Sequence, residues 1–211
     1  MRPLTDAVPK PLLPVGGKPL IVWHLQRLAA AGFKDVVVNH AHLGGQIETA
    51  LGDGSAFGLS LRYSAEPEGA LETAGGIANA LPLLGNAPFL VINGDIYCDW
   101  DMRRALDFPS AEDLVHLVLV DNPAHHPAGD FHLHDGRVDT GGEPKLTFAG
   151  IGIYRPAFFS SLRRGEAAKL LPHLLAAMTA GTVSGERHRG RWTDVGTPQR
   201  LAELDAELRR G

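Results

Sequence analysis

Helical patterns and short apolar runs take turns along the first half of this chain, and that alternation leaves few folds open. Leu20, Trp23, His24, Leu28 and Ala31 recur at helical spacing and Gly32 stands where a helix stops, which predicts a helix over 19–31. Val36-Val-Val-Asn39 is a β-branched run suited to a buried strand, and a second helix is expected over 44–51, closed by Gly52. Residues 58–63 alternate as a strand, 73–84 read as a helix, and the apolar run 88–92 ends in Asn93-Gly94-Asp95. Strands and helices alternating in units of this size imply right-handed crossovers. The expected fold class is therefore α/β: a doubly wound, mostly parallel sheet, Rossmann-like, in a single domain over 1–211, with ligands at the carboxyl ends of the strands.

After Trp100 the rhythm changes. A strand is expected over 114–120, a hairpin over 131–138 with Asp135-Gly136 at its turn, and a strand over 146–154. A helix over 166–179, a strand over 183–188 and a closing helix over 198–209, with Pro198 in its first turn, complete the pattern. No repeat, charge block or linker divides the chain.

Composition narrows the function. The 24 acidic residues outnumber 20 basic ones for a net charge of -4, so no global positive field holds nucleic acid or an anionic membrane. An anionic ligand has to be held locally. The single cysteine, Cys98, rules out an internal disulfide framework and a cysteine-based zinc site, and reads as a small packed side chain. No apolar stretch approaches a membrane span and the N-terminus lacks signal-peptide order, so a cytoplasmic setting is expected. Among the ten histidines, His125-His126 and His132-x-His134 lack the framework of a zinc site, whereas His40 and His42 follow a strand end and suit substrate contact. No Gly-x-Ser-x-Gly elbow supports Ser-His-Asp hydrolysis.

Four short constellations carry the chemistry. Pro9-Lys10-Pro11, with Arg2 and Lys18 nearby, aims a cation from a stiffened backbone, as a phosphate site requires; a solvated lysine in a Pro-rich loop has the same pattern. Asn93-Gly94-Asp95 puts a carboxylate at the mouth of the sheet, where Mg2+ is commonly held, although turn aspartates are frequent. Asp194, in Trp192-Thr-Asp-Val-Gly-Thr-Pro198, is either a turn or N-cap residue or a second metal carboxylate. Leu71-Glu-Thr-Ala-Gly-Gly76 opens a helix with adjacent glycines, which admit a base or phosphate or else serve tight packing.

Taken in order, Met1-Arg-Pro-Leu-Thr5, Pro9-Lys10-Pro11, Asn93-Gly94-Asp95 and Trp192–Pro198 resemble the sugar-1-phosphate nucleotidylyltransferases over nearly the whole chain. Within that family, Asn39-His-Ala-His-Leu-Gly44, Leu71–Gly76 and Thr147-Phe-Ala-Gly-Ile151 look most like the uridylyltransferases acting on N-acetylmuramate 1-phosphate in cell-wall recycling, with mannose-1-phosphate guanylyltransferases as close competitors. The resemblance implies a Mg2+-dependent enzyme that takes a nucleoside triphosphate and a sugar 1-phosphate to a nucleotide sugar and pyrophosphate. It implies phosphate contact by Lys10 and Arg2, and metal ligation by Asp95 and Asp194. Glu72, Gly75, Gly76 and Asn93 are implied near the nucleotide, and Thr147, Gly150 and Lys145 near the sugar. Lys145 departs from the Glu-Lys-Pro form of many relatives, since Glu143-Pro144-Lys145 stands in its place. Relatives also carry a first strand and an Ala-Gly-x-Gly-x-Arg loop directly before the Met-Arg-Pro-Leu-Thr segment, with which this chain begins. Loss of that loop would leave a catalytically impaired nucleotide-sugar-binding or regulatory protein as the alternative. A homo-oligomer is compatible with the sequence, in which no helical seam marks an interface.

Overall fold

The computed structural model describes residues 1–67, 71–107 and 112–210. Its helices are α1 (Leu4–Ala7), α2 (Leu20–Ala30), α3 (Gly44–Leu51), α4 (Glu72–Leu84), α5 (Leu170–Thr179) and α6 (Pro198–Leu208). The strands are β1 (Pro14–Val15), β2 (Lys18–Pro19), β3 (Asp35–His40), β4 (Ser60–Ala65), β5 (Phe89–Ile92), β6 (Ile96–Cys98), β7 (Val115–Val120), β8 (Phe131–His134), β9 (Arg137–Asp139), β10 (Lys145–Tyr154), β11 (Val183–His188) and β12 (Trp192–Asp194). They fall into two compact units. One comprises Met1–Ala70, Gly94–Arg103 and Arg191–Gly211, the other Leu71–Asn93 and Arg104–Gly190.

In the first unit β3 and β4 run parallel, from Asp35 opposite Ser60 to His40 opposite Ala65. The apolar stripe of α2, Ile21, Val22 and Leu25, packs with Val38, Ile47 and Leu61 into one core. A second core gathers Leu13, Val15, Leu20, Tyr97, Val195 and Leu204 beside the antiparallel pair β6–β12. The chain enters it through the hairpin β1–β2, whose turn is Gly16-Gly17, both at positive φ. Strand β4 begins two residues later than the alternation suggests, because Gly58, at φ +72°, still belongs to the turn closing a short 3-10 segment.

The second unit is a six-stranded sheet in the order β5-β10-β7-β11-β9-β8, with β8 pairing also to the start of β10. Only β7–β11 is parallel there; β10 runs antiparallel to β5, β7 and β8. The mostly parallel sheet expected from the first half is thus corrected to a mixed one. Parallel neighbours need long crossovers, and the two-residue turn Asp135-Gly136, with both φ positive, forces β8 and β9 antiparallel. Val115, Leu117, Leu119, Tyr154, Phe159 and Leu174 form the centre of this unit's core. Helix α5 starts at Leu170 rather than 166, since the preceding segment is spent on α4: Ala168 donates to the Leu71 carbonyl, and its own carbonyl accepts from Ala74 and Gly75.

Helix α2 also holds β6 through a buried imidazole. His24 Nε2 lies 2.8 Å from the Ile96 carbonyl, and Nδ1 has no partner among the described residues. Burial pushes this imidazole down to about 4, so it is neutral at pH 7 with the proton on Nε2, donating to Ile96. A histidine depressed in the folded state binds its proton first in the unfolded state, so stability is full above the ordinary value of about 6.5 and falls as pH drops toward 4. Denaturant unfolding between pH 7.5 and 4.5 should therefore show a loss of up to roughly 3 kcal/mol that His24→Gln, with an amide donor that does not titrate, removes.

Candidate active site

The first unit places Asp95 and Asp194 of the sequence reading at the end of one ladder. In the β6–β12 ladder Ile96 stands opposite Asp194, and Val195 N–H donates to the Asp95 carbonyl at 2.7 Å, so Asp95 and Asp194 sit at the same ladder end. Asp194 is the last residue of β12 rather than a turn residue, and the N-cap of α6 is Thr197, whose hydroxyl accepts from Arg200 N–H. Each carboxylate faces a cation. Lys10 Nζ lies 2.6 Å from Asp95 Oδ2, and Arg200 Nη2 lies 2.8 Å from Asp194 Oδ2.

Lys10 is aimed by its neighbours. Pro9 caps a 3-10 turn, Lys10–Leu12, and Pro11 lies where a Cβ at Gly94 would come within 3.3 Å of its ring. Lys10 also opens on a cavity of about 550 Å³ whose wall includes Thr5, Asn39, His40, His42 and Gly196. His40 and His42 thus share a cavity wall with Lys10. His40 Nε2 pairs with Glu48 Oε1 at 2.7 Å, and a Cβ at Gly44 would fall on the His40 ring. Arg2 is exposed, pairs with Asp6 at 3.2 Å, and lies outside that wall. Cys98 is packed in β6, its thiol pushed up to about 11 by burial.

In the second unit Asn93 N–H donates to the Gly150 carbonyl at 2.8 Å, and Gly150 has φ +74° with the Asn93 side chain where its Cβ would be. Gly150 lies in a β-bulge, since the β10–β7 register jumps between Phe148 and Ile151. Thr147 is buried and donates to Asn122 Oδ1 at 2.9 Å, and Asn122 also donates to the Lys145 carbonyl. Glu72 opens α4 at φ +58° and is exposed, while Gly75 and Gly76 are buried. A Cβ at Gly75 would meet the Glu166 carbonyl at 2.4 Å, and the Ala74 and Gly75 N–H groups both point to Ala168. At Gly75 the missing side chain therefore serves tight packing.

Arg200 and Gly196 were not evident in the sequence. An arginine in the first turn of a polar helix looks solvated, and only the return of α6 over the end of β12 brings it to Asp194. A Cβ at Gly196 would lie 1.9 Å from Arg200 Nη2 and 3.0 Å from Asp194 Oδ2.

Cations and carboxylates thus share one ladder end. The sequence model of the nucleotidyl transferase family matches residues 1–138, and the chain belongs to that family. It is 56% identical, over 98% of its length and 92% of the relative, to N-acetylmuramate alpha-1-phosphate uridylyltransferase of Neisseria meningitidis. To the enzyme of the same name from Caulobacter vibrioides it is 36% identical over 99% of the chain and 91% of the relative. To the mannose-1-phosphate guanylyltransferase of Mycobacterium tuberculosis it is 32% identical, spanning 62% of that protein. The fold matches a structure described as a glucose-1-phosphate thymidylyltransferase from Bacillus anthracis, with a TM-score of 0.86 at 23% identity over 99% of this chain and 90% of that one. This is the α/β, Rossmann-like nucleotidyltransferase fold.

Gly150→Ala forces a side chain into the left-handed region and against Asn93. It should lower the unfolding free energy by about 1–3 kcal/mol in urea titrations, whereas Gly136→Asn, in an open turn, should change it by less than about 0.5 kcal/mol.

Proposed function

We propose that this chain transfers a uridylyl group from UTP to N-acetylmuramate 1-phosphate in the cytoplasm, releasing pyrophosphate. The observation that carries the reading is the 56% identity to a uridylyltransferase of that specificity over nearly the full length of both chains. The cation and carboxylate cluster around Lys10, Asp95 and Asp194 gives it a chemical basis. A sugar-phosphate oxygen attacks the α-phosphorus, the bond to the bridging oxygen of the β-phosphate breaks, and that oxygen leaves as part of pyrophosphate.

Two carboxylates at one ladder end are a hard-oxygen donor set of the kind Mg2+ takes, and the ammonium already seated 2.6 Å from Asp95 Oδ2 marks that oxygen as a cation position. Mg2+, held there by Asp95 and Asp194, would supply positive charge where the phosphate oxygens gather negative charge. Lys10 turns from Asp95 to those oxygens, so that its charge meets the substrate in the step where charge builds up. Arg2 is assigned to phosphate contact on the resemblance. In the second unit, Glu72, Gly76 and Asn93 are assigned to the nucleotide, and Thr147, Gly150 and Lys145 to the sugar, on the same basis. The substrates are small molecules, with no role for nucleic acid, and no described helix is long and apolar enough to cross a membrane.

Pyrophosphate release from each nucleoside triphosphate, paired in turn with a panel of sugar 1-phosphates, tests the reading. UTP with N-acetylmuramate 1-phosphate should be the fastest pair; a faster GTP and mannose 1-phosphate pair would replace the specificity, and no release from any pair would remove the enzyme. Asp95→Asn should cut the rate of the best pair by at least about a hundredfold while shifting the melting temperature by only a few degrees, measured on the same preparation.

A further inference from the structure

We infer that Arg200 is a positioning residue for the metal carboxylate Asp194, an inference that rests on the reading of Asp194 as a Mg2+ ligand. The two cations of the cluster differ in how they are held. Lys10 reaches Asp95 on a flexible stem from the wall of an open cavity. Arg200 is enclosed instead: the Thr197 cap takes its backbone N–H, and its guanidinium lies in the space that a Cβ at Gly196 would occupy. Nη2 donates to Asp194 Oδ2 at 2.8 Å, with both side chains less than a third exposed. A guanidinium held in this way fixes the one carboxylate oxygen it bonds, and through it the rotation of the carboxylate.

Backbone pairing with Ile96 sets where Asp194 starts, and Gly196 keeps the space beside it clear. The third constraint is the turn of the carboxylate about its own axis, and that is what Arg200 supplies. A competing expectation has the opposite sign. A cation held this close to a metal site repels the metal, so if Arg200 did no more than neutralise Asp194, removing its charge would tighten metal binding. Outer partners that orient a ligand typically contribute a factor of 10–100 in metal affinity, so the orienting effect is large enough to decide the sign.

The experiment is a titration of the purified chain with Mn2+, in place of Mg2+, followed by the electron paramagnetic resonance of free Mn2+ without substrates, with melting temperatures recorded in parallel. Arg200→Gln should weaken Mn2+ binding about tenfold, Arg200→Lys severalfold because charge is kept but the planar donor on Asp194 Oδ2 is lost, and Asp194→Asn should weaken it as well. The double variant Asp194→Asn with Arg200→Gln should bind no more weakly than Asp194→Asn alone, because Arg200 acts through that carboxylate. Unchanged or tighter Mn2+ binding by Arg200→Gln, beside a weakened Asp194→Asn, overturns the role of Arg200 and leaves the metal reading intact. Unchanged binding by Asp194→Asn overturns the metal reading itself. Should Arg200→Gln not fold, Arg200→Lys decides the matter, since parental Mn2+ affinity in that variant also overturns the inference.

Discussion

The register of one short ladder governs the candidate active site. Strands β6 and β12 are three residues each, and their pairing sets Trp192 opposite Cys98 and Asp194 opposite Ile96. A slip of one residue would turn every side chain of one strand to the other face. The apolar cluster beside the ladder blocks that slip, because Tyr97 and Val195 are buried in it with Leu201 and Leu204 of α6. Trp23 meets Tyr97 edge-on at 5.7 Å and donates to the Val15 carbonyl, tying the β1–β2 hairpin to the same cluster. The placement of Asp95 and Asp194 at one ladder end is thus a consequence of where Tyr97 and Val195 pack.

Bringing two carboxylates to one ladder end concentrates negative charge, and the structure offsets it with one cation for each. Exposed ion pairs contribute little to stability, so a pair with Lys10 open to a cavity is better suited to exchange than to holding the fold. The Arg200 pair is less exposed and enclosed on the side of Gly196, where removing either partner leaves a shielded charge. The cluster therefore combines a cation that can leave with one that stays.

Much of this was legible from residue patterns, for identifiable reasons. Helices α2 and α3 show clear periodicity and end at Gly32 and Gly52, and β11 is a run bounded by turns, so each was read to within a residue or two. Lys10, Asp95 and Asp194 stood out because their flanking prolines and glycines repeat a family's order of motifs. The pairing of β6 with β12 was not legible, because three-residue strands have too little alternation to register and their partners lie far apart in sequence. The antiparallel course of β10 was hidden for a similar reason: its apolar run would suit a parallel core strand equally well, and direction depends on connections that composition does not encode. The glycines of α4 had two readings, and only the approach of Glu166 and Ala168 distinguished them at Gly75.

An acidic chain that handles anionic substrates must supply positive charge locally, and the geometry limits how it can do so. A lysine bonded to Asp95 at 2.6 Å keeps two further N–H donors, but that carboxylate offsets its charge toward a phosphate oxygen. Turning Lys10 outward leaves the Asp95 carboxylate without its cation, which repels an incoming phosphate unless another positive charge takes the vacated position. Under the proposed function Asp95 would hold a divalent ion in that position, and Lys10 would then be free to turn to the phosphate. By linkage the converse would hold with equal strength: a phosphate that draws Lys10 away would raise the affinity of Asp95 for such an ion. The net charge of -4 would then not oppose phosphate recognition, because the Lys10–Asp95 pair would make the chain's contribution of positive charge conditional on the metal.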